Sequence, residues 1–182
     1  MKRSQLEHII RAAGAIAEES DIVVIGSQAI LATVPSPPAE LVQSIKADVF
    51  PLKHPERSGL IDGAIGESSD FHDTFGYYAQ GVGPETATLP ASWRTRLRKI
   101  AGPATHGVTG HCLDPHDLAL AKYAAARPKD RDFNRVMIQN GYLKRATVLK
   151  LLDEMPLSAA RCAAIREQIE ADWKLAAGRR SG

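Results

Sequence analysis

The sequence predicts a mixed α/β (α+β) protein in which a sheet-containing part precedes a helical part. Short β-rich runs alternate with Gly and Pro up to about residue 112, and helical apolar spacing dominates from residue 113 onward. We therefore expect an α/β core over 1–112 and a helical bundle over 113–182. The chain has 182 residues, of which 44% are hydrophobic and 24% charged, and this composition is typical of a folded globular protein.

The elements of the first part follow from apolar spacing and from Gly and Pro boundaries. Apolar residues at helical spacing predict an opening helix over 4–19. The β-branched run 22–25 predicts a buried strand that ends at Gly26 and Ser27. In order, the further predictions are helical turns at 28–32 ended by Pro35, strands at 47–52, 76–82 and 105–113, a short helix at 60–67, and a helix or extended basic segment at 93–100.

Helix start and stop residues organise the second part. Asp114 and Pro115 are typical of an N-cap and a first helical residue. Pro128, Gly141 and Pro156 then separate the helical stretches. The predicted helices cover 115–127, 129–140 and 144–154, followed by one that Ser158 caps, and residues 178–182 are expected to fray.

Charge and cysteine content limit the class of protein. There are 23 basic and 21 acidic residues, a net charge of +2, which does not by itself indicate a nucleic-acid partner. Two cysteines are too few for a disulfide framework. No apolar run approaches membrane-spanning length, and the N-terminal residues lack the apolar core of a signal peptide. We expect a cytoplasmic protein that does not enter the membrane.

Two features on the predicted sheet could bind phosphates. Gly26 and Ser27 form a strand-to-helix turn, where glycine permits close approach and helix amides favour an anion, although many such turns have only a steric role. Lys46 and Asp48 lie two residues apart on the next strand and should therefore share one face, next to this turn. An aspartate there can hold Mg²⁺ against nucleotide phosphates, or it can simply pair with the lysine.

A third feature is an opposition of charge along the chain. Between residues 122 and 135 there are five basic and two acidic side chains, a balance of +3, beginning at Lys122. Between residues 53 and 73 there are two basic and five acidic ones, a balance of −3. Two segments of opposite charge can simply attract each other where two parts of a chain pack together. They can also supply a site that needs both metal-binding carboxylates and phosphate-binding cations.

In these residues the chain resembles the nucleotidyltransferase superfamily, and in particular small bacterial proteins related to AbiEii-type abortive-infection toxins. The resemblance covers about residues 20–155. It implies a polymerase-β-like core followed by a helical bundle, and transfer of a nucleotide from an NTP to a tRNA or protein acceptor with Mg²⁺ or Mn²⁺. It also implies a toxin–antitoxin or phage-defence setting with an antitoxin partner. The segments that carry it are IGSQA from residue 25, the strand with Asp48, LDPHDLALAK from residue 113 and ARPKDR from residue 126.

The resemblance also assigns roles. Gly26 and Ser27 match the phosphate-binding turn, and Asp48 matches the second acid of the Asp-x-Asp metal motif. Lys122 matches a helix lysine that contacts the nucleotide, where Arg127 would add a further cation. Asp130 matches an aspartate that orients that lysine or a neighbouring arginine. Lys46 stands where the first metal-binding acid is expected. The resemblance does not place the third metal-binding carboxylate. By charge alone the candidates are Asp62, Glu67 and Asp70, of which Asp62 and Glu67 are favoured because they flank one short apolar segment.

Other interpretations stay open beside this one. Because of Lys46, the chain could be a nucleotide-binding or partner-binding module without catalysis. A zinc site among His106, His111, Cys112 and His116 fits no standard spacing. Ser27 lacks the Gly-x-Ser-x-Gly pattern of a hydrolase nucleophile. The aromatic residues of 71–78 could pack between the two parts or stack on a base, and the basic residues of 94–99 could contact RNA.

Overall fold

The computed structural model describes residues 1–178, which form seven α-helices, five strands and six short 3₁₀ helices. The first of the 3₁₀ helices, Ser27–Ala32, is separated from the end of the first strand by two residues. The α-helices are α1 (Arg3–Ala17), α2 (Ser58–Ile65), α3 (Asp70–Phe75), α4 (Pro115–Ala125), α5 (Pro128–Gln139), α6 (Arg145–Leu152) and α7 (Ala159–Gly178). The strands are β1 (Asp21–Val24), β2 (Lys46–Pro51), β3 (Tyr78–Gly81), β4 (Arg98–Ile100) and β5 (Thr109–Cys112).

The five strands form one mixed sheet in the order β3-β2-β1-β5-β4. Strand β1 pairs antiparallel with β2 and parallel with β5, whereas β2 pairs parallel with β3 and β4 pairs antiparallel with β5. Because β1 and β2 run in opposite directions, the end of β1 and the start of β2 meet at the same edge of the sheet. The residues that follow β1 therefore lie beside the first residues of β2.

Helices α1 and α2 cover one face of this sheet. A Cβ atom added to Gly110 on β5 would overlap the side chain of Ile10 on α1, and one added to Gly81 on β3 would overlap the carbonyl oxygen of Ser58 on α2. Side chains alternate between the two faces along a strand. The face opposite α1 and α2 therefore carries Lys46 and Asp48 of β2.

The aromatic residues of 71–78 do not form one platform. Phe71, Phe75 and Tyr77 pack around His8 of α1, with ring centroids 4.7–6.0 Å from the His8 ring. Tyr78 points to the other face of the sheet and contacts the His72 ring, with centroids 4.6 Å apart. Most of this segment therefore serves the contact between α3 and α1, and only Tyr78 lies on the face that carries Lys46 and Asp48.

Several predicted boundaries differ from the structure for local reasons. The strand predicted at 105–113 is confined to β5, because a 3₁₀ helix occupies Pro103–Thr105 and His106 adopts a left-handed conformation. Within 93–100, a 3₁₀ helix at Trp93–Arg96 is followed by strand β4. Helix α3 was not predicted; Ser69 caps it through its hydroxyl, which accepts the His72 amide hydrogen. Residues 179–182 lie outside the described part of the chain.

The chain divides into two compact units. The sheet unit comprises residues 1–86 and 96–114, and the helical unit comprises residues 87–95 with the chain from Pro115 onward. Within the helical unit, α4 packs on α5 and α6, and α7 packs on α5 and α6. Segment 87–95 joins this unit through Glu154, whose carbonyl oxygen accepts the Ala91 amide at 3.0 Å.

Both cysteines are free thiols in the structure. Cys112 ends β5 with no exposed surface, and burial raises the pKa of its thiol to about 12. Cys162 is partly exposed on α7. The two thiols therefore differ sharply in access to solvent.

Among residues 1–178, every helix is too short or too polar to cross a lipid bilayer.

Candidate functional site

The turn after β1 lies directly against Asp48. The Ile25 amide donates to the carbonyl oxygen of Asp48 at 3.1 Å, which extends the pairing of β1 with β2 by one residue. A Cβ atom on Gly26 would overlap Asp48 Oδ2, so only glycine leaves this carboxylate where it is. The backbone of Gly26 is extended, with φ −85° and ψ −173°, so space and not backbone conformation requires the glycine here.

A 3₁₀ helix begins at Ser27, and Gly26, the residue that lies against Asp48, occupies its N-cap position. The first amides of a helical turn have no carbonyl partner within the turn and are suited to an anion. The prediction that this turn and Asp48 adjoin is confirmed.

Lys46 is held next to Asp48. Its Nζ lies 3.1 Å from Asp48 Oδ1 and also donates a hydrogen bond to Gln80 Oε1 on β3. The register of β2 and β3 places Asp48 opposite Gln80. The pair is partly open to solvent, with 35% of the Lys46 side chain and 24% of the Asp48 side chain exposed. Period-two alternation correctly predicted this proximity.

Tyr78 lies on the face of the sheet that carries Lys46 and Asp48, and the charge of Glu67 acts on it. The charges of Lys46 and Asp48 also act on the Tyr78 phenol. Burial, aided by Glu67, raises the pKa of Tyr78, so this phenol stays protonated at neutral pH. The loop that carries Glu67 is tied to α3, because His72 Nδ1 accepts the Ser68 amide at 3.1 Å.

The residues present do not fit a two-metal centre held by the protein alone. Asp62 is on α2, which covers the other face of the sheet, and its Oδ1 accepts the Gly81 amide at 3.2 Å. Between residues 1 and 178 there is no group of three His, Cys, Asp or Glu side chains placed to hold a metal ion. The structure therefore does not assemble Asp48, Asp62 and Glu67 into a ligand set. A divalent cation here would need the phosphates of a nucleotide as further ligands.

Two of the three histidines in the possible zinc site have other partners. His111 Nε2 lies 2.8 Å from Asp21 Oδ1, and this contact and the Ser20 hydroxyl lower the pKa of Asp21. His116 Nε2 accepts the Lys144 amide at 3.1 Å.

Lys122, Arg127 and Asp130 form an ion cluster within the helical unit. The carboxylate of Asp130 is fully buried, with Oδ1 3.0 Å from Lys122 Nζ and Oδ2 2.6 Å from Arg127 Nε. The Lys122 ammonium also lies 4.1 Å from the centre of the Phe133 ring. Asp130 thus pairs with both cations, and its catalytic role stays a prediction.

Lys122 and Asp130 both have a lowered pKa, but for different reasons. Burial lowers the pKa of Lys122, although Asp130 opposes the shift. Burial disfavours the charged form of Asp130, but hydrogen bonds from Arg127 and Lys122 outweigh it and the pKa of Asp130 is lowered. The carboxylate is therefore ionised at neutral pH. The nucleotide contacts predicted for Lys122 and Arg127 stay predictions.

Sequence reasoning missed Gln80. Its role depends on which strand pairs with β2 and in which register, and no local pattern in the sequence specifies either. Sequence reasoning also treated Tyr78 together with the other aromatic residues of 71–78. Alternation along the strand could have shown that Tyr77 and Tyr78 point to opposite faces of the sheet.

The comparisons with known proteins agree with this geometry at the level of a family. The model of the family described as nucleotidyltransferase of unknown function (DUF6036) matches residues 4–176. No curated protein and no solved structure matches the chain. The match spans nearly the whole chain, and this protein belongs to the DUF6036 family of nucleotidyltransferases of unknown function.

Proposed function

We propose that this protein is a nucleotidyltransferase that takes an NTP as its Mg²⁺ or Mn²⁺ complex. In this proposal the bond between the α- and β-phosphates breaks, the nucleotide is transferred to an RNA or protein acceptor, and pyrophosphate leaves. The observation that carries the proposal is the placement of the Asp48 carboxylate against a side-chain-free turn at Gly26. The proposal includes a polymerase-β-like sheet core and a C-terminal helical bundle. It also includes cytoplasmic action with tRNA or protein as acceptor, in a toxin–antitoxin or phage-defence setting with an antitoxin as partner.

The residues of the sheet unit have separate tasks in this proposal. The amides after Gly26 and the Ser27 hydroxyl bind phosphate oxygens, and the Lys46 ammonium neutralises phosphate charge. The Asp48 carboxylate binds the cation that accompanies the NTP. Phosphoryl transfer depends mainly on positioning and electrostatic stabilisation, so these groups supply what the reaction requires of the protein.

A second candidate function is favoured by the Lys46–Asp48 ion pair. The ammonium lies 3.1 Å from Asp48 Oδ1 and lowers the negative charge available to a cation. A site of this kind could bind a nucleotide or a protein partner without catalysing transfer. The two functions differ in whether label from an NTP becomes covalently attached to an acceptor.

Label transfer tests the proposal, and Gly26→Ala is expected to lower its rate about a hundredfold or more. The purified protein is incubated with each α-labelled NTP, Mg²⁺ or Mn²⁺, total tRNA and cell lysate. The added methyl group displaces the Asp48 carboxylate, and a misplacement of about 1 Å can cost on the order of 10²-fold in rate.

Gly63→Ala is the matched control, because a Cβ at this helical glycine meets no atom within 4 Å. It should transfer label like the wild type, and the labelled product identifies the acceptor class. Wild-type protein that binds NTP but transfers no label under any condition would favour the non-catalytic function. Equal transfer by the two alanine variants would contradict the role given to the turn.

A further inference from the structure

The residue two positions before Asp48 is Lys46, and hydrogen bonds hold its ammonium group in place. Lys46 Nζ donates to both Asp48 and Gln80, which belong to neighbouring strands. A lysine side chain at the surface normally extends into water and samples many rotamers. Here two acceptors hold the ammonium beside the carboxylate, so the positive charge is part of the site.

The position two residues after Asp48 does not offer an acid either. Phe50 lies on the same face of β2 and is fully buried. Both positions adjacent to Asp48 on this face are therefore non-acidic. Two-metal sites require clustered carboxylates that hold the ions about 3.5–4 Å apart. The described residues provide no such cluster.

We propose that Lys46 supplies the positive charge that a second divalent cation supplies in a two-metal site. The complex of this protein with a nucleotide would then hold a single divalent ion. This inference rests on the proposed function and specifies how its site binds the triphosphate. A lysine ammonium is a compact charge with three donors and can bind phosphate oxygens directly. Since 35% of the Lys46 side chain is exposed, the ammonium can reach a phosphate without any change in the sheet.

The inference is tested first by counting bound Mn²⁺. Equilibrium dialysis measures Mn²⁺ per protein in the presence of saturating α,β-methylene analogues of the four ribonucleoside triphosphates, which bind but resist transfer. We expect one Mn²⁺ per complex in the wild type and two in Lys46→Asp, where an acid restores a second ligand. Lys53→Asp makes the same charge change at a 65% exposed lysine and should keep the count at one. Two ions in the wild type, or one in Lys46→Asp, would overturn the inference.

A second measurement uses phosphate affinity without any metal. In EDTA, Lys46→Gln should weaken binding of the same analogues at least about tenfold, as expected for loss of a charged hydrogen bond, and should not affect a nucleoside. Lys53→Gln should bind like the wild type. Equal affinities of Lys46→Gln and wild type would contradict the role of Lys46. If the wild type bound no nucleotide with or without Mn²⁺, the proposed function itself would fail, which is a distinguishable result.

Discussion

Asp48→Asn is expected to lower the rate of label transfer by at least about 10³-fold while leaving the protein folded. The substitution keeps the shape that fits against Gly26 but removes the negative charge that binds the cation of the NTP complex. Loss of one preorganised charge interaction at a reacting centre typically costs on the order of 10²–10³-fold, and here the lost charge also leaves the cation without its carboxylate ligand. Steady-state label transfer measures this effect.

The stability of the same variant separates a catalytic from a structural role. The Lys46–Asp48 pair is partly exposed, and such pairs contribute about 0–1 kcal/mol. The denaturation midpoint of Asp48→Asn should therefore stay close to that of the wild type. Asp73→Asn, an identical change at an exposed position on α3, is the control and should affect neither rate nor stability. A folded Asp48→Asn protein with wild-type transfer would contradict the proposed site.

Asp130→Asn is expected to reduce the free energy of unfolding by about 3 kcal/mol. Removing one partner of a buried ion pair typically costs about 3–5 kcal/mol, because the other charge stays buried without compensation. Lys122 is only 12% exposed and would lose its counter-ion, whereas Arg127 is 59% exposed and can turn to water. The cost should therefore lie at the lower end of that range. Urea denaturation followed by circular dichroism measures it.

Asp132→Asn provides the control within the same helix. Its carboxylate is 74% exposed and lies 3.8 Å from Arg135, so we expect a change of less than about 0.5 kcal/mol. The difference between wild type and Asp130→Asn should also shrink in acid. The folded-state pKa of Asp130 is lowered, so its stabilisation is present above the ordinary carboxyl pKa and is lost as pH falls through the lower, folded-state value. A pH-independent difference would contradict the ion-pair explanation.

Periodicity predicted the parts of this molecule that depend on nearby residues. The strand predicted at 22–25 is observed at Asp21–Val24, and the proximity of Lys46 to Asp48 followed from alternation. Pro115 begins α4 as predicted, and α5 begins one residue before its predicted start at 129. In each case the determining contacts lie within a few positions along the chain. Local steric rules therefore suffice for them.

The remaining features depend on contacts between distant residues. The overlap that requires glycine at position 26 involves Asp48, and the partner of Lys46 on β3 is fixed by strand register. The contact of Phe71 and Phe75 with His8 brings α3 to the opening helix. No spacing rule identifies such pairs, because they depend on how the strands are ordered in the sheet.

Because Cys112 is buried and Cys162 is partly exposed, the reactivity of the two thiols can report on local opening of the sheet. A thiol reagent added to the native protein should modify Cys162 quickly, whereas Cys112, without exposed surface and with a pKa of about 12, can react only when β5 separates from its neighbours. The slow phase of modification would then measure how often the central strands open. If a bound nucleotide slowed that phase, the slowing would show that the nucleotide binds to the sheet unit, without any engineered label on the protein.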